Sequence, residues 1–485
     1  MSYKYILNLS LLFLLFILST YFSYKFEINF FIFFIFSLIC NFYLLSSLSK
    51  QSSFFHFFLS IYIWLGFWFK FIINLLFNFN GWWGEVALLV NSQFLYNDVL
   101  LISIFGISGF YFSHLFQLYK YNSYFNATFI FKTQSKIISF VDFIFQKKKI
   151  IFIILFLFSI IIFIINMKFY IYQKGIIQND TINPHLLNIF KWLLFFGLTL
   201  FSCYFLHYIL LKKKIYNFAI IIIILENFLS NLSMLSRGMF INVISVLYGI
   251  YKMNKYYKLY FKIKNIVIIL ILTIFLFISS IFIVNELRLK NYYTEEEIKG
   301  NILTLEENRK SVLKDFLSST NFHEIYTIIL KRFVGYDSLL AIVHKKEILS
   351  YDFLIQSFKF IENIDDVSFF GKIQDEILEE TKGSNAKSYF IKTPGIIAFL
   401  YYSGSVYFLL LSTLLIGFIF IFFEKIVFRL LHNNFLITSL ISHLAVYRLI
   451  HFGYDPLNTF KYFLSILLNL LLLKSFYVYY KKIKK

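Results

Sequence analysis

Arginine is rare in this chain, and its few positions indicate where an anion could bind. Only six of the 46 basic residues are arginine, so lysine serves most positions that need only a positive charge. A guanidinium binds phosphate through two parallel hydrogen bonds, which an ammonium group does not. Arg237, Arg332 and Arg448 are therefore candidate ligands for anionic lipid headgroups. The alternative for Arg237 is that its side chain extends to the headgroup region only to leave the hydrocarbon.

One carboxylate lies inside an apolar segment close to these arginines in sequence. Glu226 precedes Arg237 by eleven residues and lies deeper in the same segment. We expect it to form a hydrogen bond with a neighbouring helix. Pairing with a charge or handling a proton is the alternative.

A cluster of ionisable side chains lies at the end of another apolar segment. His443, Arg448, His451 and Asp455 fall within 13 residues, which exceeds what anchoring a helix requires. Arg448 and His451 are three residues apart, so a helix places them on one face. We therefore expect this cluster to have a function beyond anchoring the helix. His443 lies deeper and is expected to be a core histidine bonded to a neighbour.

Asp337 is a further candidate for a functional residue. It closes the segment 331–337, KRFVGYD, which also contains Arg332. Asp337 and His344 are seven residues apart, so they would share one helical face. A solvated surface position is the expected role of His344, and the same role is the alternative for Asp337.

Several kinds of chemistry find no support in the sequence. No His/Cys cluster has metal-ligand spacing, and no Walker loop, GxGxxG or G-x-S-x-G motif occurs, so neither a metal nor a cofactor is expected. Cys40 and Cys203 both fall in apolar runs and predict no disulfide framework. The net charge of +20 comes from lysines at helix ends, which indicates a lipid bilayer as partner and not nucleic acid.

The composition predicts an all-α integral membrane protein with about 12 transmembrane helices and one large extracytoplasmic loop. Apolar residues make up 59% of the chain, and the mean hydropathy is +0.72. A helix needs about 20 apolar residues to cross the hydrocarbon core. Such runs place spans near 5–23, 28–49, 54–79, 98–119, 150–173, 189–211, 215–235, 238–252, 265–285, 396–423, 433–451 and 457–479.

The distribution of lysine predicts the orientation of these spans. Lysine clusters at 147–149, 212–214, 252–264 and 481–485 all fall on one side, which the positive-inside rule assigns to the cytoplasm. Both termini are then cytoplasmic. The first apolar run lacks a small-residue cleavage site and is expected to be a retained span rather than a cleaved signal.

The sequence predicts three regions in chain order. Residues 1–285 form an N-terminal bundle of about nine spans, 286–392 a large outer loop, and 393–485 a C-terminal bundle of about three spans. The loop has a net charge of −3, against +23 for the rest, so it is expected to sit in water. Within it, 321–346 predicts an amphipathic helix that could lie along the membrane face, with Gly335 as a possible kink.

Four short segments carry a resemblance to a known family. They are Ser236-Arg237-Gly238, Arg332 with Gly335, Pro394-Gly395 through Tyr401-Tyr402-Ser403-Gly404, and Arg448 to Asp455. Together with the many spans and the large outer loop before the last few, they resemble the bacterial O-antigen polymerase (Wzy-type) family of oligosaccharide repeat-unit polymerases. As topology, the resemblance covers nearly the whole chain. The local likeness is weakest in residues 1–150.

The resemblance implies a metal-independent glycosyltransferase of the bacterial inner membrane. Such an enzyme transfers a glycan from undecaprenyl diphosphate to the terminal sugar of a new lipid-linked repeat unit, on the outer face. Arg237, Arg332 and Arg448 would then bind the diphosphate groups, with Asp337, His451 or Asp455 as the base. The implied partners are undecaprenyl-diphosphate-linked oligosaccharides and a chain-length regulator protein.

Two other functions fit part of the pattern. An O-antigen ligase shares the architecture but transfers the glycan to lipid A–core, and the sequence separates it poorly from a polymerase. A lipid-linked oligosaccharide flippase belongs to a different class. It would need charged residues lining a central cavity and short loops, whereas these spans are poor in charge and one loop is long.

Overall fold

The structure is a computed structural model of the chain. It describes residues 3–76, 93–120, 138–173, 183–212, 217–236, 238–257, 263–292, 333–359, 369–373, 376, 393–431, 433–453 and 456–483. These residues are helical or lie in short turns, and none of them forms a β-strand. The all-α fold class is therefore confirmed for the described part of the chain.

The helices are numbered here in chain order. They are α1 (Tyr3–Phe26), α2 (Phe30–Ser47), α3 (Phe54–Ile63), α4 (Lys70–Leu76), α5 (Gln93–Lys120), α6 (Ile138–Phe169), α7 (Pro184–Trp192), α8 (Leu198–Leu211), α9 (Asn217–Ser233), α10 (Met239–Tyr257), α11 (Ile263–Tyr292), α12 (Tyr336–His344), α13 (Tyr351–Lys359), α14 (Ile396–Leu400), α15 (Val406–Leu430), α16 (Phe435–Ile450) and α17 (Pro456–Ile483). A π-helical turn joins α3 to α4 (Trp64–Phe69) and another joins α7 to α8 (Leu193–Gly197).

The protein is embedded in a membrane. Within the described residues, seven helical segments are long and apolar enough to cross a bilayer. They are Phe30–Ser47, Phe54–Leu76, Leu95–Lys120, Gln146–Phe169, Pro184–Leu211, Lys264–Val284 and Val406–Leu430. Four shorter apolar helices (Ser10–Phe26, Asn217–Ser233, Phe435–Ile450 and Thr459–Leu472) coincide with four more of the predicted spans. The full number of 12 stays a prediction.

The predicted span 396–423 begins later than expected. Pro394 precedes the five-residue helix α14, and a 3₁₀ turn (Tyr401–Ser403) follows it. Gly404 then adopts a left-handed conformation with φ +70°, which ends this short element as glycine commonly does after a helix. The long apolar helix α15 begins only at Val406, so proline opens a short buried helix and not a membrane span.

The described chain forms two compact units, and the three predicted regions stay a prediction. Unit 1 comprises 1–124, 322–427 and 445–485, and unit 2 comprises 125–321 and 428–444. Part of the predicted outer loop thus belongs to the same unit as the first spans. Regions read in chain order could not predict this, because helices pack by the fit of their surfaces and not by their order in the sequence.

Part of the polar insert is buried in unit 1. Of the predicted helix 321–346, the described part forms a helix from Tyr336 to His344, and every residue from Tyr336 to Val343 is buried. This helix, α12, packs against α5 and α14 instead of lying along a surface. The first half of the predicted helix, 321–332, lies outside the described residues.

A buried carboxylate caps α3 from a distant part of the chain. The two oxygens of Glu424 accept hydrogen bonds from the backbone N–H groups of Phe54 (3.0 Å) and Phe55 (2.7 Å). Such first-turn N–H groups have no partner within their own helix, and the helix N-terminus carries partial positive charge. Glu424 is 1% exposed, so this interaction replaces the solvation that the carboxylate loses. It holds α15 against α3.

We expect Glu424→Gln to destabilise the folded protein by about 1–3 kcal/mol, because one buried backbone N–H would face an amide nitrogen and lose its acceptor. Thermal unfolding of the purified protein in detergent measures this loss. Glu347→Gln is the matched control, since Glu347 is exposed, and it should change stability by less than about 0.5 kcal/mol. Equal melting temperatures for both variants would contradict a capping role.

In unit 2, α9 packs against α6, α8, α10 and α11. Residues 435–444 of α16 belong to the same unit and pack against α10. Ser245 and the Nδ1 atom of His443 are 2.7 Å apart, which confirms the expectation of a core histidine bonded to a neighbour. Gly249 permits this approach, because a side-chain carbon there would lie 3.0 Å from the Cα atom of Leu436.

Candidate functional site

The end of α16 holds Arg448 in a defined orientation. The guanidinium carbon of Arg448 lies 4.6 Å from the ring centre of Tyr462 on α17, within the range of a cation–π interaction. Arg448 is half-buried. Contact with the aromatic ring restricts the position of the guanidinium group, and its N–H groups can donate two parallel hydrogen bonds to two oxygens of a phosphate.

His451 follows Arg448 on the same helical face, as the spacing predicted. Its Nδ1 atom lies 3.0 Å from the carbonyl oxygen of Tyr447, and the two rings are 4.3 Å apart. A carbonyl oxygen can only accept, so Nδ1 must carry the proton in this contact. In the neutral ring the lone pair is then on Nε2, which is the tautomer that a general base needs. His451 is half-buried.

Asp337 forms a buried ion pair that was not predicted. Lys70 donates to its Oδ2 atom and also to the carbonyl oxygen of Phe333, at 3.0 Å. The side chains of Lys70 and Asp337 are only 4% and 11% exposed. A buried charge requires a partner of opposite sign, so each residue makes the other tolerable. The pair fastens the beginning of α12 to α4.

The second carboxylate oxygen of Asp337 has no hydrogen-bond partner among the described residues. The phenol of the adjacent Tyr336 is neutral. Burial, together with the nearby Tyr96 and Asp337, raises its pKa well above the ordinary value. A buried carboxylate oxygen without a donor is costly. Asp337 Oδ1 therefore has unused capacity to accept a hydrogen bond from water or from a hydroxyl group.

Two glycines let the segment before α12 approach the π-helical turn between α3 and α4. A side-chain carbon at Gly66 would lie 2.5 Å from the carbonyl oxygen of Val334, and one at Gly335 would lie 2.6 Å from the carbonyl oxygen of Gly66. Both distances are too short for a real side chain. Only glycine at these two positions allows the backbones to touch, and this contact places Phe333 within reach of Lys70.

A second glycine junction joins this segment to the end of α16. Gly395 has φ +79° and donates its backbone N–H to the carbonyl oxygen of Phe452 at 2.9 Å. A side-chain carbon at Gly395 would lie 2.9 Å from the carbonyl oxygen of Ile450 and 3.0 Å from Cγ1 of Val334. The Asp337 segment and the Arg448–His451 segment thus meet at Gly395. Both belong to unit 1.

No protein-family model, curated protein or solved structure matches this chain. Its function therefore has to be argued from the contacts within the described residues.

The structure brings only some of the predicted site residues together. Asp337, Arg448 and His451 lie in segments of unit 1 that meet at Gly395. Arg237, Arg332 and Asp455 lie outside the described residues, and their predicted roles stay predictions.

Lys70 is the residue that sequence reasoning missed. It is the only lysine or arginine in the predicted span 54–79, and a charged residue inside a span is by itself a signal for a functional or paired site. That signal was readable. Its partner Asp337 was not, because 267 residues separate the two in sequence.

An apolar cavity of about 570 Å³ lies beside the end of α16. Leu449 and Phe452 line it at this end, and residues of α14, α15 and α17 form its other walls. The residues next to Arg448 and His451 therefore border a space suited to a hydrocarbon chain.

Proposed function

We propose that this membrane protein polymerises undecaprenyl-diphosphate-linked oligosaccharide repeat units into O-antigen, capsule or another exopolysaccharide. The observation that most supports this is the junction at Gly395. Three of the four segments that resemble the oligosaccharide repeat-unit polymerases contribute residues there: Gly335 beside Val334, Pro394-Gly395, and the end of α16. Segments that are far apart in sequence but meet in one place are what a shared site requires.

The residue types at this junction suit transfer from a lipid diphosphate. Arg448, held by Tyr462, would bind a diphosphate group and stabilise the charge that develops on it as the leaving group departs. The apolar cavity beside Leu449 would hold part of the polyprenyl chain. Arg237 and Arg332 are proposed as further ligands of the diphosphates.

His451 is the best supported of the three candidate bases. Its tautomer places a lone pair on Nε2, which would take the proton from the acceptor hydroxyl. The acceptor oxygen would then form the new glycosidic bond while the bond from the anomeric carbon to the diphosphate breaks, releasing undecaprenyl diphosphate. Direct displacement of this kind inverts the anomeric carbon. Asp337 remains a candidate, but Lys70 occupies one of its oxygens.

The predicted orientation places this reaction on the outer face of the bacterial inner membrane, with both termini cytoplasmic. Sixteen residues separate Phe54 at the start of α3 from Lys70, about 24 Å at 1.5 Å per helical residue. With the start of α3 at the cytoplasmic face, Lys70 and Asp337 would lie near the opposite face of a hydrocarbon core about 30 Å thick.

Deletion of the protein in its bacterial host, followed by gel analysis of surface glycans, tests the proposal. A polymerase deletion should leave single repeat units on the final acceptor and no ladder. Loss of all glycan from lipid A–core, with polymer retained on undecaprenyl diphosphate, would instead indicate a ligase. Single lipid-linked units confined to the cytoplasmic face would indicate a flippase. An unchanged ladder would rule out all three.

A further inference from the structure

Unit 2 contains a buried carboxylate that the proposed glycosyl transfer does not use. Glu226 is 3% exposed and lies on α9 among other buried polar side chains. Thr199 on α8 and Asn242 on α10 face it, and Asn227 and Ser230 flank it on α9. Neutral side chains alone surround the carboxyl group among the described residues.

The contacts of Glu226 form a short chain of hydrogen bonds. Ser230 donates to Oε1 at 3.1 Å, and the amide nitrogen of Asn227 lies 3.1 Å from Oε2. The hydroxyl oxygen of Thr199 is 3.1 Å from Oε2 and also 3.1 Å from the amide oxygen of Asn227. Asn242 approaches the same hydroxyl at 3.4 Å with its amide nitrogen.

The orientation of the Asn227 amide is fixed by its other partner. Its nitrogen lies 2.7 Å from the carbonyl oxygen of Ile223, which can only accept a hydrogen bond. Turning the amide over would bring two acceptors together at that distance. The atom of Asn227 that faces Thr199 is therefore the oxygen, an acceptor.

The number of protons in this set of hydrogen bonds then decides whether Glu226 is ionised or neutral. Thr199 has one hydroxyl proton but two close oxygen neighbours, Glu226 Oε2 and Asn227 Oδ1. Were Glu226 ionised, both neighbours would be pure acceptors, and one of the two contacts would hold no proton. With a proton on Oε2, Glu226 donates to Thr199 and Thr199 donates to Asn227. Each contact then has one donor and one acceptor.

The surroundings of Glu226 also favour a neutral carboxylic acid. No described residue forms an ion pair with Glu226, and α6, α10 and α11 place no described charged side chain against it. The buried thiol of Cys203 on α8 is a titratable neighbour, and it carries no positive charge in either protonation state. An ionised carboxylate enclosed in this way would be uncompensated.

We infer that Glu226 is a proton-binding site: it is a neutral carboxylic acid in the folded protein and donates a hydrogen bond to Thr199. Its ligand is a proton, and the site lies in unit 2, whereas Lys70, Asp337, Arg448 and His451 lie in unit 1. The inference does not depend on the proposed function. Glutamine keeps the donor toward Thr199, because its amide nitrogen donates where the acid O–H does, but it removes the acceptor of the Asn227 amide.

Infrared difference spectroscopy of the purified full-length protein at neutral pH tests this inference. Subtracting the Glu226→Gln spectrum from that of the original protein should show loss of one protonated-carboxyl C=O band and no loss of carboxylate bands. Glu347→Gln is the matched control, since Glu347 is exposed, and it should show loss of carboxylate bands. Loss of carboxylate bands in Glu226→Gln would overturn the inference.

A second variant keeps the test decisive if Glu226→Gln does not fold. Thr199→Val removes the acceptor of the Glu226 proton, so the protonated-carboxyl C=O band should move to higher frequency. An unmoved band would overturn the assigned hydrogen bond. A spectrum of the original protein with no protonated-carboxyl band at all would overturn the inference by itself.

Discussion

Arg448→Ala should abolish glycan chain extension while the protein stays folded and inserted. Removing one preorganised group that stabilises charge in a transition state typically lowers kcat by about 100- to 1,000-fold. A loss of that size would reduce the surface glycan ladder to single repeat units. Transfer between lipid-linked repeat units by the purified protein measures the loss directly, and gel analysis of cells measures it indirectly.

Three further variants separate the proposed role of Arg448 from a general effect of removing positive charge. Arg429→Ala is the matched control, because Arg429 is an exposed arginine in the last turn of α15, and this variant should extend chains normally. Arg448→Lys keeps the charge but loses the planar fork, so it should retain only part of the activity. Tyr462→Phe should stay near normal, because the ring that holds Arg448 is preserved. Normal ladders in Arg448→Ala would rule out the assigned role.

Lys70→Met should destabilise the protein by about 3–5 kcal/mol, because it leaves the buried Asp337 carboxylate without its counter-charge. The double variant Lys70→Met with Asp337→Asn removes both charges and should recover most of this loss. Thermal unfolding in detergent for the two single variants and the double variant gives the interaction energy of the pair.

An exposed ion pair of the same type provides the control. Lys346 and Asp98 are 3.4 Å apart, with side chains 64% and 53% exposed, and water screens such pairs. Lys346→Met should therefore change stability by less than about 0.5 kcal/mol. Equal losses in Lys70→Met and Lys346→Met would show that the buried pair carries no special weight.

The double variant also distinguishes the candidate bases. With His451 as the base, a folded Lys70→Met, Asp337→Asn protein should still extend glycan chains. If Asp337 takes the proton instead, that protein should fold and be inactive. The same glycan assay therefore decides whether Asp337 is the base, and His451→Ala and Asp455→Asn in the same assay separate the other two candidates.

Much of the membrane architecture could be predicted from the sequence because it depends on local composition. Runs of apolar residues set the length of a span, and Phe54–Leu76, Pro184–Leu211 and Lys264–Val284 lie close to where those runs placed them. The predicted start of a span at 396 was wrong because a short helix and a 3₁₀ turn occupy the first eight residues of that segment. Hydropathy cannot distinguish a short buried helix from the first turn of a span.

The candidate site could be predicted only in part, for a similar reason. The spacing of Arg448 and His451 follows from helix geometry, so one short segment contained the information. The ion pair of Lys70 with Asp337 depends on the contact between Gly66 and Gly335. The sequence around each glycine does not predict this contact. Glu424 likewise caps α3 across 370 residues.

The sequence alone determined that this is a helical membrane protein, and it placed Arg448 beside His451, because both properties depend on residues adjacent along one helix. Only the tertiary structure decided that part of the polar insert is buried, which charge neutralises Asp337, and that the proton count around Glu226 requires a neutral acid. Those properties depend on contacts between segments brought together by packing. The free-energy cost of an unpaired buried charge depends on its neighbours in space, and these cannot be read from the order of residues in the sequence.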